Sequence, residues 1–342
     1  MAIIDKPSDF FNPKIYTGNQ SSTHAVTGVG FQPDLSWFKI RNGTGSHYLF
    51  DVIRGVTKSI SSDSGGAEST QDYLSSFDTD GFTLGSASNN VNGAYNYVSW
   101  NWKAGGSASS NSNGSITSSV SANTTAGFSI VKWTGNGSTA TIGHGLGVAP
   151  SAIIVKNYSA SMNWISYWKT LGANKYLEFN LANAAGTGTT EWNNTSPTSS
   201  VFSVGNTGSG NQNNGSLVAY CFAEKQGYSK FGSYLGFNSG EYGPFIYTGF
   251  KPAFVLIKDS SAGNAWTIRD DKRNTFNPAT NFLMPNETDA EVTAGEAVDI
   301  LSNGFKIKAN GGKVQDSGNT YIYMAFAENP FVASNFNAAT AR

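Results

Sequence analysis

Several stretches of this chain set ionisable residues close enough to attempt chemistry. Glu287, Asp289 and Glu291 alternate in "NETDAEV", so a strand would carry all three on one face. Two carboxyls roughly 5–5.5 Å apart are what retaining glycoside hydrolysis requires. The residues between them, Thr288 and Ala290, are not the apolar pair that a buried active strand would hide, and Pro285 precedes. A solvated loop is the expectation. Asp78, Asp80 and Gly81 in "FDTDGF" begin like a calcium loop, but an EF-hand needs a further Asp or Asn and a bidentate Glu at its twelfth position. The same place recurs as "LSNGF", with Asn303 and Gly304. Asp-Gly and Asn-Gly are preferred type I′ hairpin pairs, so turn chemistry explains both copies and calcium only one.

Asp51 and Arg54 follow Lys39 by 12 and 15 residues, and Asp270 and Arg273 follow Lys258 by the same steps. After Lys156 those offsets fall on Trp168 and Leu171. A catalytic pair would not tolerate that exchange, whereas a buried ion pair can be replaced by apolar residues at little cost. Both pairs are therefore expected to be structural and in contact. Cys221 matches Asn101 and Ala325 in the other copies, so its slot needs no thiol, and His24, His47 and His144 share no spacing to an acid. No nucleophile–base set or zinc site is expected, and no cofactor. Trp164, Trp168, Tyr176 and Trp192 crowd one part of the chain among Asn and Ser. Such aromatics can stack on sugars, although core packing is the commoner use of Trp.

These residues sit on a repeated frame. Pro33, Pro150 and Pro252 are each followed six residues later by a lysine: Lys39, Lys156 and Lys258. A "YTG", "WTG" or "YLG" turn precedes each, and "GFTLG", "VFSVG" or "GFKIK" follows. Each copy closes on a long apolar run, "YVSWNWKA", "LVAYCFAE" or "YIYMAFAE". Fixed spacing with varied loops reads as a duplicated unit. Many short strand signals per copy predict an all-β chain of three tandem antiparallel β-sandwich repeats, jelly-roll or lectin-like. The units are expected at 16–106, 127–226 and 227–330, after an N-terminal docking segment at 1–15 and before a tail at 331–342. The Gly/Ser/Asn-rich stretch at 107–126 reads as a flexible linker, so the first unit should be placed independently while the second and third pack together. In the closing strand Val98, Trp100 and Trp102 share one face, which should line the core of the unit.

Composition narrows the rest. The chain has 342 residues, 39 of them Gly, with 13% aromatic and 13% charged residues and a formal net charge of −1. Nothing drives it toward nucleic acid or an anionic membrane. One cysteine excludes an internal disulfide framework. The N-terminal residues lack the pattern of a signal peptide, and no apolar stretch approaches a membrane span, so synthesis in a cytoplasm without membrane insertion is expected.

In combination, "KPSDFFN", "GVGFQPDLSWFKIRN", "FDTDGFTLG", "VSWNWKAGG", "YCFAEKQGYSKFGSY", "GPFIYTGFKPAFVLIK" and the closing "AFAENPF" resemble repeat-containing virion proteins of marine bacteriophages, described as tail-fibre or other structural proteins. The resemblance implies a lectin-like β-sandwich fold and a virion location, and carries no site residues. Expected from it is a non-enzymatic virion surface protein, a tail-associated fibre or adhesin for host attachment. The alternatives are a capsid decoration protein or head fibre and, third, a polysaccharide depolymerase. Expected partners are other tail or capsid proteins, a host surface glycan or protein, and further copies of the chain.

Overall fold

The computed structural model describes residues 3–237 and 242–332. It is an antiparallel all-β structure whose helical pieces are single turns such as Gly208–Asn211. One strand order occurs three times. Phe11–Thr17, Asn96–Trp102, Leu35–Ile40 and Tyr48–Asp51 lie side by side, as do Phe128–Thr134, Ser216–Phe222, Ala152–Asn157 and Ile165–Trp168, and again Ser229–Leu235, Thr320–Pro330, Phe250–Asp259 and Thr267–Asp270. Each large sheet is faced by a small one of two or three strands, built on Gly81–Leu84, Val201–Val204 or Gly304–Ile307. Aromatic and β-branched residues dominate these strands, as a pleated surface buried on both sides favours.

Local bonding repeats with the spacing. The residues after the prolines, Asp34, Ser151 and Ala253, accept from the backbone N–H of Val52, Lys169 and Asp271 at 3.0, 2.9 and 2.9 Å. Lys39, Lys156 and Lys258 stand opposite Val98, Val218 and Ile322 of the closing strands. The three lysines thus hold equivalent places in three equivalent sheets.

Which face meets which core differs from the sequence expectation. Val98, Trp100 and Trp102 do not line a core private to their unit. With Val218, Tyr220 and Phe222, and Ile322, Met324 and Phe326, they form one cluster shared by all three units. Phe326 packs against Phe11 at 4.9 Å, Phe222 at 5.9 Å and Trp102 at 5.7 Å between ring centroids, so the three sheets meet there. The opposite, smaller face fills each sandwich: Ala219 and Cys221 with Ile142 and Phe202, and Tyr323 and Ala325 with Phe305 and Ile307. Both faces of the closing strands are therefore buried, one in the unit's own sandwich and the other in the core the units share.

Two boundaries change accordingly. Residues 107–126 are no free linker: Ser109–Asn111 and Ser118–Asn123 are strands that extend the second large sheet, with Ser118 Oγ donating to the Gly143 carbonyl at 2.8 Å. Backbone pairing needs no particular side chain, so a Gly/Ser/Asn composition does not prevent an edge strand. Nor is 1–15 a separate docking segment. Phe11–Thr17 pairs along its whole length with Asn96–Trp102, and Phe11 is buried in the shared core. Most of the proposed 331–342 tail lies outside the described residues.

The units are tied in a closed cycle. Glu68 N–H of the first donates to the Tyr158 carbonyl of the second, Ala185 N–H of the second to Ser260 of the third, and Glu291 N–H of the third to Arg41 of the first, at 2.8, 2.9 and 2.7 Å. The lysines run the other way round. Lys39 Nζ donates to the carbonyls of Gly45 and Thr288, at 2.6 and 2.8 Å. Lys156 Nζ reaches those of Met162 and Gly65, at 2.6 and 2.8 Å. Lys258 Nζ reaches Ala262 and Ala182, at 3.1 and 3.0 Å. Each ammonium thus binds at least one carbonyl of its own loop and one of a neighbouring unit, the arrangement of a ring with approximate threefold symmetry.

A pH dependence follows. Burial pushes each of these lysines down to about 8, against about 10.4 for an unfolded lysine. Their charged forms cost folding free energy. As pH rises from about 8 toward 10, the folded chain releases protons that the unfolded chain still holds, so stability rises. Cys221 opposes this, because burial raises its thiol pKa, and buried tyrosines such as Tyr220 and Tyr228 oppose it more weakly near the top of the interval, because burial raises theirs from about 10; alanine, the residue at the equivalent of Cys221 in the third unit, removes the cysteine's part. In a Cys221→Ala background the urea midpoint is expected to be higher at pH 9.5 than at 7.5, and Lys258→Met should flatten the slope even if it lowers the midpoint. A midpoint that falls over this interval in Cys221→Ala contradicts the assignment.

Candidate functional site: a groove between the second and third units

The acidic motifs serve the framework. Arg54 Nε meets Asp51 Oδ2 and Arg273 Nε meets Asp270 Oδ2, both at 2.6 Å, with all four side chains almost fully buried. Each Asp also accepts from two backbone N–H groups, Ile53 and Arg54 or Lys272 and Arg273. Each then reaches into another unit: Tyr220 Oη donates to Asp51 at 2.8 Å, and Trp100 Nε1 donates to Asp270 at 3.0 Å. The third acid of the alternating motif, Glu291, is held by Arg273 at 2.8 Å and by Arg41 at 2.9 Å. Residues 285–291 form no strand, so the three carboxylates are not lined up on a face.

Asp80 is a turn residue, but of another kind than expected. The hairpins at Thr79–Asp80 and Ser302–Asn303 join their strands through residues without positive φ, so they are not type I′. Asp80 instead accepts from Gly30 and Gly28 N–H at 2.6 and 3.0 Å, which holds its carboxyl below the usual range. The glycines that follow are needed for close approach: a Cβ on Gly81 or Gly304 would lie 2.0 Å from the carbonyl oxygen of Val26 or Ile246. Among the described residues no group of three or more metal-ligating side chains converges.

Burial corrects three of the four aromatic candidates. Trp164, Trp168 and Trp192 are at most 2% exposed, so their ring faces meet other side chains and not sugars. Trp164 Nε1 donates across the ring to the first unit's Ser61 and Ser64 carbonyls at 2.9 and 3.1 Å, and Trp266 repeats this toward Leu181 at 3.2 Å. His47 is the matching residue of the first unit. It is fully buried near the Met284 carbonyl, and desolvation, then Lys39 and Arg273, push its pKa down. Tyr176 is half-buried beside Gly186. His24 and His144 bond to Asn92 and to the Thr198 carbonyl.

A groove that these motifs do not touch lies where the second and third units meet. Its volume is about 690 Å³, and it is lined among others by Ser151, Lys169, Glu224, Lys225, Lys230 and Tyr247. Lys169 leaves the end of strand Ile165–Trp168, Lys225 the end of Ser216–Phe222, and Tyr247 the edge strand Phe245–Tyr247 of the third small sheet. Lys230 and Glu224 pair at 2.7 Å. Lys225 has its backbone N–H on Ser229 Oγ at 3.1 Å; partial burial lowers its ammonium pKa. Tyr247 is 58% exposed. The signal for this groove in the sequence is "KQGYSK", with two lysines within six residues of a chain that is otherwise poor in charge.

Fold and site together define an all-β, approximately threefold ring with Asp51, Asp270 and Glu291 committed to structural bonds and an open groove at a seam. The chain belongs to the family described as a domain of unknown function (DUF7483), whose model matches residues 6–330. No curated protein and no solved structure matches it.

Proposed function

We propose that the protein is a non-enzymatic surface protein of a bacteriophage virion that acts in host attachment at the tail. The virion setting rests on the resemblance of the repeat phrases. The observation that carries the attachment role is the seam groove, an open concavity of about 690 Å³ with charged and aromatic groups at its wall. A rigid β scaffold with variable loops suits recognition, and many copies on a particle make shallow sites effective. The depolymerase reading loses support, since Glu291 is held by two arginines.

Capsid decoration is the second reading. It is favoured by the compact ring and by exposed apolar residues on the third unit, where Leu235, Phe237, Tyr242, Phe245 and Tyr247 are 47–85% exposed. In either role the chain docks as one body, because its units share a core. Immunogold labelling of intact virions, with purified protein as competitor for adsorption, separates the readings. Tail labelling with saturable competition is expected. Head labelling without competition replaces attachment by decoration, and unlabelled virions overturn the virion reading.

A further inference from the structure

We propose that the groove between the second and third units binds an acidic oligosaccharide, with Lys169 and Lys225 holding its carboxylate or sulfate groups and Tyr247 covering a sugar face. As a receptor site this rests on the attachment reading; as binding chemistry it does not.

Charge is the first argument. Three lysines and one glutamate line the groove, and the Lys230–Glu224 pair accounts for one of each. Lys169 and Lys225 make no ion pair among the described residues, so the groove carries a local positive surplus in a chain of net charge −1. A partly desolvated cation without a counter-ion is held at a cost that an arriving anion relieves. The lowered pKa of Lys225 reports that desolvation.

The approximate symmetry supplies an internal comparison. The seam between the first and second units has a groove of about 480 Å³ lined by Asp34, Lys103, Gly105, Gly106 and Asn123. By register Gly105 and Gly106 stand where Lys225 and Gln226 stand, because Trp102 matches Phe222 opposite Leu35 and Ala152. There the one acid and the one base balance, and no aromatic lines the wall. The common scaffold makes a groove at these two seams, and at one of them the residues make it cationic and aromatic.

Size and chemistry favour a saccharide. The volume lies within the range of about 300–1,000 Å³ usual for ligand clefts. An exposed tyrosine offers an apolar ring face with a polar tip, which suits a pyranose, and two ammonium groups supply the anion contacts. A polyphosphate would ask for a larger basic surface than this chain has.

Titration calorimetry on the full chain tests the proposal with four probes: a tetragalacturonate, a heparin tetrasaccharide, maltotetraose and a single-stranded DNA oligonucleotide. At least one acidic saccharide is expected to bind, more weakly as salt rises; which one binds separates carboxylate from sulfate recognition. Maltotetraose and DNA are expected not to bind. Lys169→Gln with Lys225→Gln should weaken binding about tenfold, as two charge contacts in a solvent-open groove suggest, with the thermal midpoint retained. Lys103→Gln, in the other groove, should change nothing. Binding of neither acid, equal affinity for maltotetraose or DNA, or an unaffected double lysine variant overturns the site. If the purified protein binds as expected yet virions carrying the double variant adsorb normally, the site stands and the attachment role falls.

Discussion

Asp270→Ala is expected to destabilise the protein by about 3–5 kcal/mol, the usual result of removing one partner of a buried ion pair. The variant leaves Trp100 Nε1 and the backbone N–H groups of Lys272 and Arg273 without their acceptor, and strips Arg273 of one of its two carboxylates. Replacing the whole network should cost less, because the second unit already does without it. There Trp168, Leu171 and Ala185 occupy the places of Asp270, Arg273 and Glu291, and the third unit's Met324 occupies that of Trp100. Trp168 has its indole N–H satisfied by Ser166 at 2.9 Å, whereas Ile268 stands at the equivalent place beside Asp270. Phenylalanine therefore suits position 270 better than tryptophan. The combination Trp100→Phe, Asp270→Phe, Arg273→Leu and Glu291→Ala leaves no side chain of the network orphaned except Arg41, which is 22% exposed and can turn to water; the backbone N–H groups of Lys272 and Arg273 lose Asp270 in both variants, so their cost cancels in the comparison. Urea midpoints compare the two. A combined variant as unstable as Asp270→Ala would show that the network contributes more than its own satisfaction.

A fragment ending at residue 226 is expected not to fold. It would leave Trp100, Trp102, Tyr220 and Phe222 facing water where Phe231, Phe254, Met324 and Phe326 now cover them. Each such side chain gains roughly 1.5–3 kcal/mol from burial, so the four together lose roughly 6–12 kcal/mol, as much as the about 5–15 kcal/mol that a whole folded domain holds. The fragment also loses the acceptor of Lys39 at Thr288 and the donor Glu291 N–H to Arg41. Size-exclusion chromatography and amide NMR check this. A monomeric fragment with dispersed resonances and a cooperative thermal transition would restore the picture of independent units.

The picture of independent units fails for a physical reason. Alternation along "YVSWNWKA" shows that Trp100 and Trp102 share a face and Ser99 and Asn101 the other. It does not say which neighbour each face meets, and a unit considered alone offers only its own sandwich. Likewise "AGGSASSNSNGSITSS" has the composition of a coil, yet strand pairing is made by backbone groups that every residue but proline carries.

The sequence by itself determined the all-β class, the equal Pro-to-Lys frame, and the ion pairs Asp51–Arg54 and Asp270–Arg273, since these depend on spacing along one strand or turn. Only the tertiary structure decided that three sheets close on one another, that Trp164, Trp168 and Trp192 are interior, that Glu291 belongs to two arginines, and that Lys169, Lys225 and Tyr247 share a groove. These residues come from different units, and what brings them together is the need of each sheet's large apolar face for a partner that its own unit does not contain.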